Sequence, residues 1–171
     1  MILQTRNVVT EDNAFLFELY ATTRKHEFSM LALDEQQLQA LLYMQYEAQK
    51  RSYQNKFPQA KHEIIYHEGL PIGRVMTEIK GQNIHLIDIS LLPNHRGKGY
   101  GTKILKQLQS NAATQRGSVT LHVLQGNPAR HLYERCGFYV TEEIAPYIAM
   151  RFESFNEEVE FSVERKGGEN K

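Results

Sequence analysis

The sequence predicts an α+β fold, a mixed and mostly antiparallel sheet flanked by helices, and three observations predict it. Two helical segments precede residue 60, short β-prone runs recur from residue 63 to residue 152, and a glycine-rich turn stands between a strand and a helix near residue 97. The chain has 171 residues, 41% hydrophobic and 23% charged, which fits an ordinary globular domain and excludes disordered and collagen-like classes. No internal repeat or linker is visible, so one domain over residues 1–153 is expected, followed by a charged tail over 154–171.

Residues 2–9 read as an opening strand. Thr10 then offers an N-cap hydroxyl to a helix over 11–24, whose first turn is acidic and whose apolar face is Phe15, Leu16, Leu19 and Tyr20. Asp34 caps a second helix, which carries Leu38, Leu41, Leu42, Gln45 and Tyr46 and runs to Phe57-Pro58, where proline stops it. Residues 63–67 and 72–79 form two strands joined by Glu68-Gly69-Leu70-Pro71, a hairpin signal, and Gly81 ends the second. Residues 84–92 are strongly β-prone and are broken by Pro93. Beyond the glycine-rich segment, Ile104, Leu105 and Leu108 mark a helix. Residues 119–124 alternate as a strand, 128–135 form a short helix after Asn127, 137–141 return as a strand, and 147–152 are the last core strand. In the tail, Val159, Phe161 and Val163 alternate with polar residues. They fit one more edge strand or an arm onto a partner, so a homodimer is among the expected assemblies.

Composition narrows the function. The formal net charge is zero, which argues against nucleic-acid or membrane-surface binding, since both need an excess of Lys and Arg to meet phosphate. No apolar run reaches the roughly 18 residues of a membrane span, and the amino terminus shows no basic region followed by an apolar stretch. The single cysteine, Cys136, cannot form an internal disulfide and reads as a small buried residue. A cytoplasmic location is therefore the expectation. His62, His67, His95, His122 and His131 have no metal-ligand spacing, so no metal site is expected.

The segment Arg96-Gly97-Lys98-Gly99-Tyr100-Gly101-Thr102 lies where unpaired amides and the helix dipole offer an anion site. Glycine permits close approach of the backbone to phosphate, and Arg96, Lys98 and Lys103 add positive charge. A bland alternative is a tight turn with solvated basic residues. Two nucleotide motifs fail on spacing. A P-loop needs Lys followed by Ser or Thr, but Lys98 is followed by Gly99; a dinucleotide fingerprint needs its third glycine one position beyond Gly101.

The segment resembles instead the signature of the GNAT family of N-acetyltransferases: Arg or Gln, two residues, Gly, one residue, then Gly or Ala. Arg96, Gly99 and Gly101 match it. A second block of that family, an Asn after the fifth strand followed by Ala, Tyr and Gly-Phe, is matched by Asn127, Ala129, Tyr133 and Gly137-Phe138. The two blocks in order cover roughly residues 84–140 and make the resemblance far more specific than either alone.

The resemblance implies a GNAT-like sheet with a strand-to-helix turn that binds the pyrophosphate of coenzyme A. It implies acetyl-CoA as donor and an amine of a small molecule or peptide as acceptor, with direct transfer between them. Cofactor contacts are expected at Leu91, Leu92, Arg96, Gly97, Lys98, Gly99, Tyr100, Gly101, Thr102, Asn127 and Arg130. Leu91 would sit at a β-bulge, where its N–H polarises the thioester carbonyl and its strand leaves its neighbour. Asn127 would hold the pantetheine arm or serve as an N-cap, and Tyr133 would donate a proton or hydrogen bond to the departing thiolate.

An amine attacks only when neutral, and an alkylammonium has a pKa of about 10.4, so a base or water path is needed. His85 is the first candidate: it precedes Leu91 by an even number of strand steps, which puts both on one face if no bulge intervenes. Asp88 then falls on the opposite face, and one bulge reverses that. The alternative for His85 is a strand histidine facing a helix. The family builds its acceptor cleft from the first two helices and the last strands, implicating residues 24–34, Tyr43, Tyr46 and Tyr147. Arg24 and Lys25 suit an anion, Glu27 and Asp34 a cation. The competing functional class is a catalytically inactive CoA-binding sensor or interaction module of the same fold.

Overall fold

The computed structural model describes residues 3–154 and arranges them around one seven-stranded sheet. Strand β1 is Leu3–Asn7, and a 3-10 turn leads into helix α1, Asn13–Phe28, followed by α2, Glu35–Lys56. Strands β2 (Lys61–His67), β3 (Leu70–Lys80) and β4 (Asn83–Leu91) form a meander. Helix α3 is Tyr100–Thr114, β5 is Ser118–Leu124, α4 is Ala129–Arg135, and β6 and β7 are Tyr139–Ile144 and Tyr147–Glu153. The strand order is β1-β2-β3-β4-β5-β7-β6, and every neighbouring pair is antiparallel except β4 with β5. The predicted mixed, mostly antiparallel sheet is the one observed. The alternating tail segment around Val159, Phe161 and Val163 lies outside the described residues.

The sheet is covered on both faces, as its alternation requires. Neighbours Ile64 and Ile65 are both fully buried, yet they join different clusters because successive strand residues point to opposite faces. Ile65, Val75, Leu86, Val119, Leu121 and Met150 pack with Ile104 and Leu105 of α3 and Tyr133 of α4. On the other face, Ile64 packs with Leu16 and Tyr20 of α1 and with Leu42 and Tyr46 of α2. Cys136 is buried, as its sequence context predicts.

Two details depart from expectation at α1. The helix runs from Asn13 to Phe28 rather than over 11–24, starting after the 3-10 turn Thr10–Asp12. Asp12, not Thr10, makes the capping contact: its carboxylate accepts from the Val9 N–H at 2.8 Å and is clamped by both terminal nitrogens of Arg6. An ionised carboxylate with a bidentate guanidinium outcompetes a hydroxyl for this role. At α2 the expected cap holds, with the Asp34 side chain accepting from the Gln37 N–H.

The most consequential departure is in β4. Met76 pairs with Asp88 but Thr77 pairs with Leu86, so Ile87 is an extra residue that bulges out of the ladder. The bulge therefore lies at Ile87, four residues before the expected position at Leu91. It also shifts side-chain parity. His85 and Asp88, opposite Glu78 and Met76, share the α1–α2 face, whereas Leu91 points to the α3–α4 face with Ile89.

One buried group on the α1–α2 face sets a pH dependence. His62 of β2 has its Nε2 buried without a hydrogen-bond partner, and burial, aided by the Arg74 charge, lowers its pKa from 6.5 to about 4. The folded state thus favours neutral imidazole. Between those values the unfolded chain binds more protons, so stability is lost as pH falls through that window. Thermal unfolding by circular dichroism should show the midpoint declining as pH drops from 7 towards 4, and His62→Gln should flatten that decline.

Candidate active site

Strands β4 and β5 pair only at Ile84–Val119, His85–Thr120 and Leu86–Leu121. Beyond Leu86 the two strands diverge, and the carboxyl half of β4 faces an opening in the middle of the sheet. On its other edge β4 stays bonded to β3, and the Leu92 N–H donates to the Ile72 carbonyl at 2.9 Å. Alternation along an antiparallel edge turns the Leu91 N–H the opposite way, into the opening. The Leu91 carbonyl accepts from Arg96 Nε at 2.8 Å. Leu92 has both main-chain groups engaged, its carbonyl accepting from the His95 N–H, so only its side chain is left to face a ligand.

The glycine-rich turn follows directly. Gly97 and Gly99 adopt φ of 70° and 83°, the left-handed region that L-residues avoid, and a Cβ on either would meet no atom within 4 Å. Gly99 is the N-cap of the 15-residue helix α3, and its carbonyl accepts from the Lys103 N–H. The amides from Gly99 to Thr102 thus precede the first intrahelical bond and have no partner within the helix. Gly101 has a different reason to be glycine: a Cβ there would approach Leu132 Cδ2 of α4 to 3.1 Å. Its closeness is to a neighbouring helix rather than to solvent. Tyr100 is buried, with its hydroxyl 3.3 Å from His67 Nδ1, and serves packing.

Helix α4 brings Tyr133 beside the opening. The ring is 8% exposed and stacks edge-on against Phe138 with centroids 6.0 Å apart. Burial first, and then the charge of Asp88, pushes its pKa up to about 12, so the phenol keeps its proton at neutral pH. The Asp88 charge acts in the same direction as burial on this phenol. The Asn127 side chain accepts from the Ala129 N–H at 2.9 Å and its carbonyl from the Arg130 N–H, so the cap role is filled. The Arg130 guanidinium is tied to Glu134 at 2.8 Å and Glu143 at 3.8 Å.

His85 lies in the closed part of the sheet, level with Thr120 and before the strands part. Its Nδ1 is 3.0 Å from the Thr120 hydroxyl, and its ring packs against Phe57 at 5.7 Å and His122 at 5.4 Å. Burial and then His122 lower its pKa. The predicted shared face with Leu91 is overturned by the bulge at Ile87. Asp88, three residues further along, is instead the titratable side chain of β4 beside the opening. It receives Arg74 Nε at 2.8 Å and the Ser90 hydroxyl at 3.0 Å, both on Oδ2. The terminal nitrogen of Arg74 donates to Gln49 of α2 at 3.1 Å. Arg74, Gln49 and Ser90 were not singled out by sequence. The available signal was a charged residue inside the apolar run of β3, alternating with Met76 and Glu78 on one face.

Of the expected acceptor residues, Tyr46 is a core side chain, 2% exposed and hydrogen-bonded to Asn13. Tyr43 and Tyr147 are half-exposed, and Arg24 is paired with Glu27 at 3.0 Å. Between α1 and α2 runs a cleft of about 420 Å³ lined in part by Tyr20, Arg24, Glu27, Gln45 and Gln49. Gln49 connects this cleft to Arg74. Among the described residues no cluster of three or more His, Cys, Asp or Glu could hold a metal ion, and no helix is long and apolar enough to cross a membrane.

A sheet opened between its central strands, with a glycine turn at the adjoining helix start, is the arrangement that the resemblance to the acetyltransferases implies. Residues 14–138 match the model of the Acetyltransferase (GNAT) family, and the chain belongs to that family. It is 37% identical over 75 residues to the thialysine N-epsilon-acetyltransferase of Mus musculus, a stretch covering 43% of this chain and 44% of that protein. The Bos taurus protein of the same name is 38% identical over 77 residues, 43% of this chain and 45% of its own. The matches thus span less than half the length of these curated relatives. Among solved structures, the PaiA N-acetyltransferase of Thermoplasma acidophilum in complex with coenzyme A superposes with a TM-score of 0.66 at 17% identity, covering 90% of this chain and 99% of that one. An acetyltransferase from Thermus thermophilus gives 0.64 at 14% identity, covering 90% and 97%. These likenesses show the fold.

The opening depends on the fit of β3 behind it. A Cβ on Gly73 would collide with the Ser90 carbonyl and come within 2.7 Å of Leu91 Cδ2. Gly73→Ala should push β4 away at Leu91 and cost roughly 1–3 kcal/mol, as overpacking does elsewhere. Chemical denaturation should show a lower midpoint with an unchanged slope.

Proposed function

We propose that this chain is an acetyl-CoA-dependent N-acetyltransferase that passes the acetyl group directly to a primary amine of a small molecule or peptide. The observation that carries this reading is the opening between β4 and β5, flanked by the Leu91 N–H, the Tyr133 phenol and the Asp88 carboxylate, and ending at the glycine turn. The amides over residues 97–102 would cradle the pyrophosphate, with Arg96 and Lys98 beside it. The Leu91 N–H would donate to the thioester oxygen, and more strongly once that oxygen carries the charge of a tetrahedral intermediate. Tyr133 would donate a hydrogen bond to the sulfur as the carbon–sulfur bond breaks. The thialysine acetyltransferases named above support a terminal amine on a small amino-acid-like molecule as the acceptor.

The geometry supports a structural role for His85 in place of the expected base. A ring held between Phe57, Thr120 and His122 in the closed part of the sheet braces α2 against β4 and β5. The sequence reading expects His85→Ala to lose roughly 10²-fold in turnover. On the structure, His85→Ala should instead lower thermal stability and leave the pH dependence of turnover in place. A flattened rise of rate with pH in a variant of wild-type stability would restore His85 as the base.

Tyr133→Phe should lower the turnover number by roughly 10- to 100-fold while the acetyl-CoA dissociation constant changes less than about twofold, because the hydrogen bond strengthens only as charge reaches the sulfur. Free-thiol release gives the rate and calorimetry the affinity. Equal losses in both would reduce Tyr133 to a packing residue. The inactive CoA-binding alternative requires tight acetyl-CoA binding by the wild-type chain with no thiol release on thialysine, lysine, alkyl monoamines or peptide amines.

A further inference from the structure

Arg74 belongs to neither family motif, yet it is 6% exposed in the middle of β3, where an unpaired guanidinium would be very costly. Its contacts are specific. Nε donates to Asp88 Oδ2 at 2.8 Å, a terminal nitrogen donates to Gln49 Oε1 at 3.1 Å, and the guanidinium lies 5.9 Å from the centre of the Tyr53 ring. The Ser90 hydroxyl donates to the same Asp88 oxygen at 3.0 Å. Both donors to Asp88 converge on Oδ2, and among the described residues Oδ1 has no hydrogen-bond partner. The Asp88 side chain is 22% exposed against 8% for Arg74, so the open side of this ion pair is the carboxylate.

We propose that Arg74 is a positioning residue for acetyl transfer: with Gln49 and Ser90 it fixes Asp88 by Oδ2, so that Oδ1 faces the acceptor amine between the α1–α2 cleft and the opening of the sheet. This rests on the N-acetyltransferase reading. The ammonium loses its first proton to solvent, and the neutral nitrogen then binds with an N–H donated to Oδ1. As the nitrogen lone pair forms the bond to the thioester carbon, the carbonyl pair moves to oxygen near the Leu91 N–H, and the second proton passes from nitrogen to Oδ1. The intermediate collapses by reforming the carbonyl and breaking the carbon–sulfur bond, whose pair stays on sulfur beside Tyr133. Asp88 returns its proton to solvent and the thiolate takes one up.

A guanidinium is suited to this task because its planar fork reaches a carboxylate and an amide at fixed angles, whereas an ammonium offers one compact charge. Gln49 also lines the α1–α2 cleft, so an acceptor lying in that cleft contacts the same chain of hydrogen bonds that aims Asp88. The expected acceptor is therefore a primary amine on a chain slim enough to run from the cleft to the opening.

The test uses the full chain, acetyl-CoA, and thialysine and n-butylamine as acceptors. Asp88→Asn should lower kcat/KM for the amine roughly 10²-fold with the acetyl-CoA dissociation constant unchanged, and added formate should restore part of the rate in Asp88→Ala. Arg74→Lys should lower kcat about tenfold with little change in KM for acetyl-CoA, and Ser90→Ala by a few-fold. Formate rescue is a readout that a merely structural Asp88 would not give. If Asp88→Asn fails to fold, Arg74→Lys and Ser90→Ala decide: unchanged kcat in both overturns the proposal. It is equally overturned by a folded Asp88→Asn with wild-type kcat/KM, or by one that loses acetyl-CoA binding as much as turnover. A wild-type chain that releases no thiol with any amine would instead sink the N-acetyltransferase reading and this inference with it, which separates the two failures.

Discussion

Strands β4 and β5 are the one parallel pair in an otherwise antiparallel sheet, and they bond over only three residue pairs. Parallel neighbours need a crossover connection, here supplied by α3, and the glycine turn is where that crossover begins. From Asp88 onward β4 relies on β3 alone, while β5 turns its other edge to β7 over seven residues. A sheet that parts in its centre leaves main-chain groups without ladder partners at a buried depth, which a protein keeps only where something else satisfies them. The Leu91 carbonyl is met by Arg96, and the Leu91 N–H is turned to the same side. The helix start, the splay and the glycine turn are thus consequences of one topological step.

The bulge at Ile87 decides which side chains meet at that opening. Without it, His85 and Leu91 would share a face and Asp88 would be buried among the apolar residues under α3. One extra residue reverses this, sending Asp88 to the face that carries Arg74, where its charge is compensated, and leaving Ile89 and Leu91 to the core. Burying that carboxylate without its guanidinium would cost far more than the bulge does. The register shift and the ion pair therefore support each other, and neither is legible from a local window of sequence.

That contrast explains how far the sequence could be read. Periodicity and punctuation located the strands and most helix ends of the described chain, because Pro58, Gly81, Pro93 and Gly137 interrupt the patterns; α1 nonetheless runs on to Phe28, past the expected end at residue 24, and for α3 only its apolar residues were legible. Asn127 and Asp34 were recognisable as caps because capping is a contact over two or three residues. Thr10 failed as a cap for a nonlocal reason: Arg6 of β1 holds Asp12 in the competing position. His85 failed as a partner of Leu91 through parity, which any single inserted residue inverts. Arg74 and Gln49 meet across 25 residues, and no spacing rule brings them together.

The electrostatics of the opening also limit what Tyr133 can do. A phenol pushed up to about 12 holds its proton more tightly than a free thiol of pKa ~8.5, so handing that proton fully to the sulfur would be uphill by on the order of 5 kcal/mol. The same burial that raises the phenol weakens competition from water, which makes a hydrogen bond from it to a nascent thiolate stronger than in solution. Tyr133 is therefore better placed to donate than to transfer, and the proton that finally neutralises the thiol need not be its own. The negative charge of Asp88 acts in the same sense, since it opposes a phenolate at Tyr133. In the proposed reaction an amine losing its proton towards Asp88 would remove that charge as the thiolate forms, so negative charge would not accumulate in the opening. The phenol and the ion-paired carboxylate would in that reaction be matched, one to the developing anion and the other to the developing cation of a single acyl transfer.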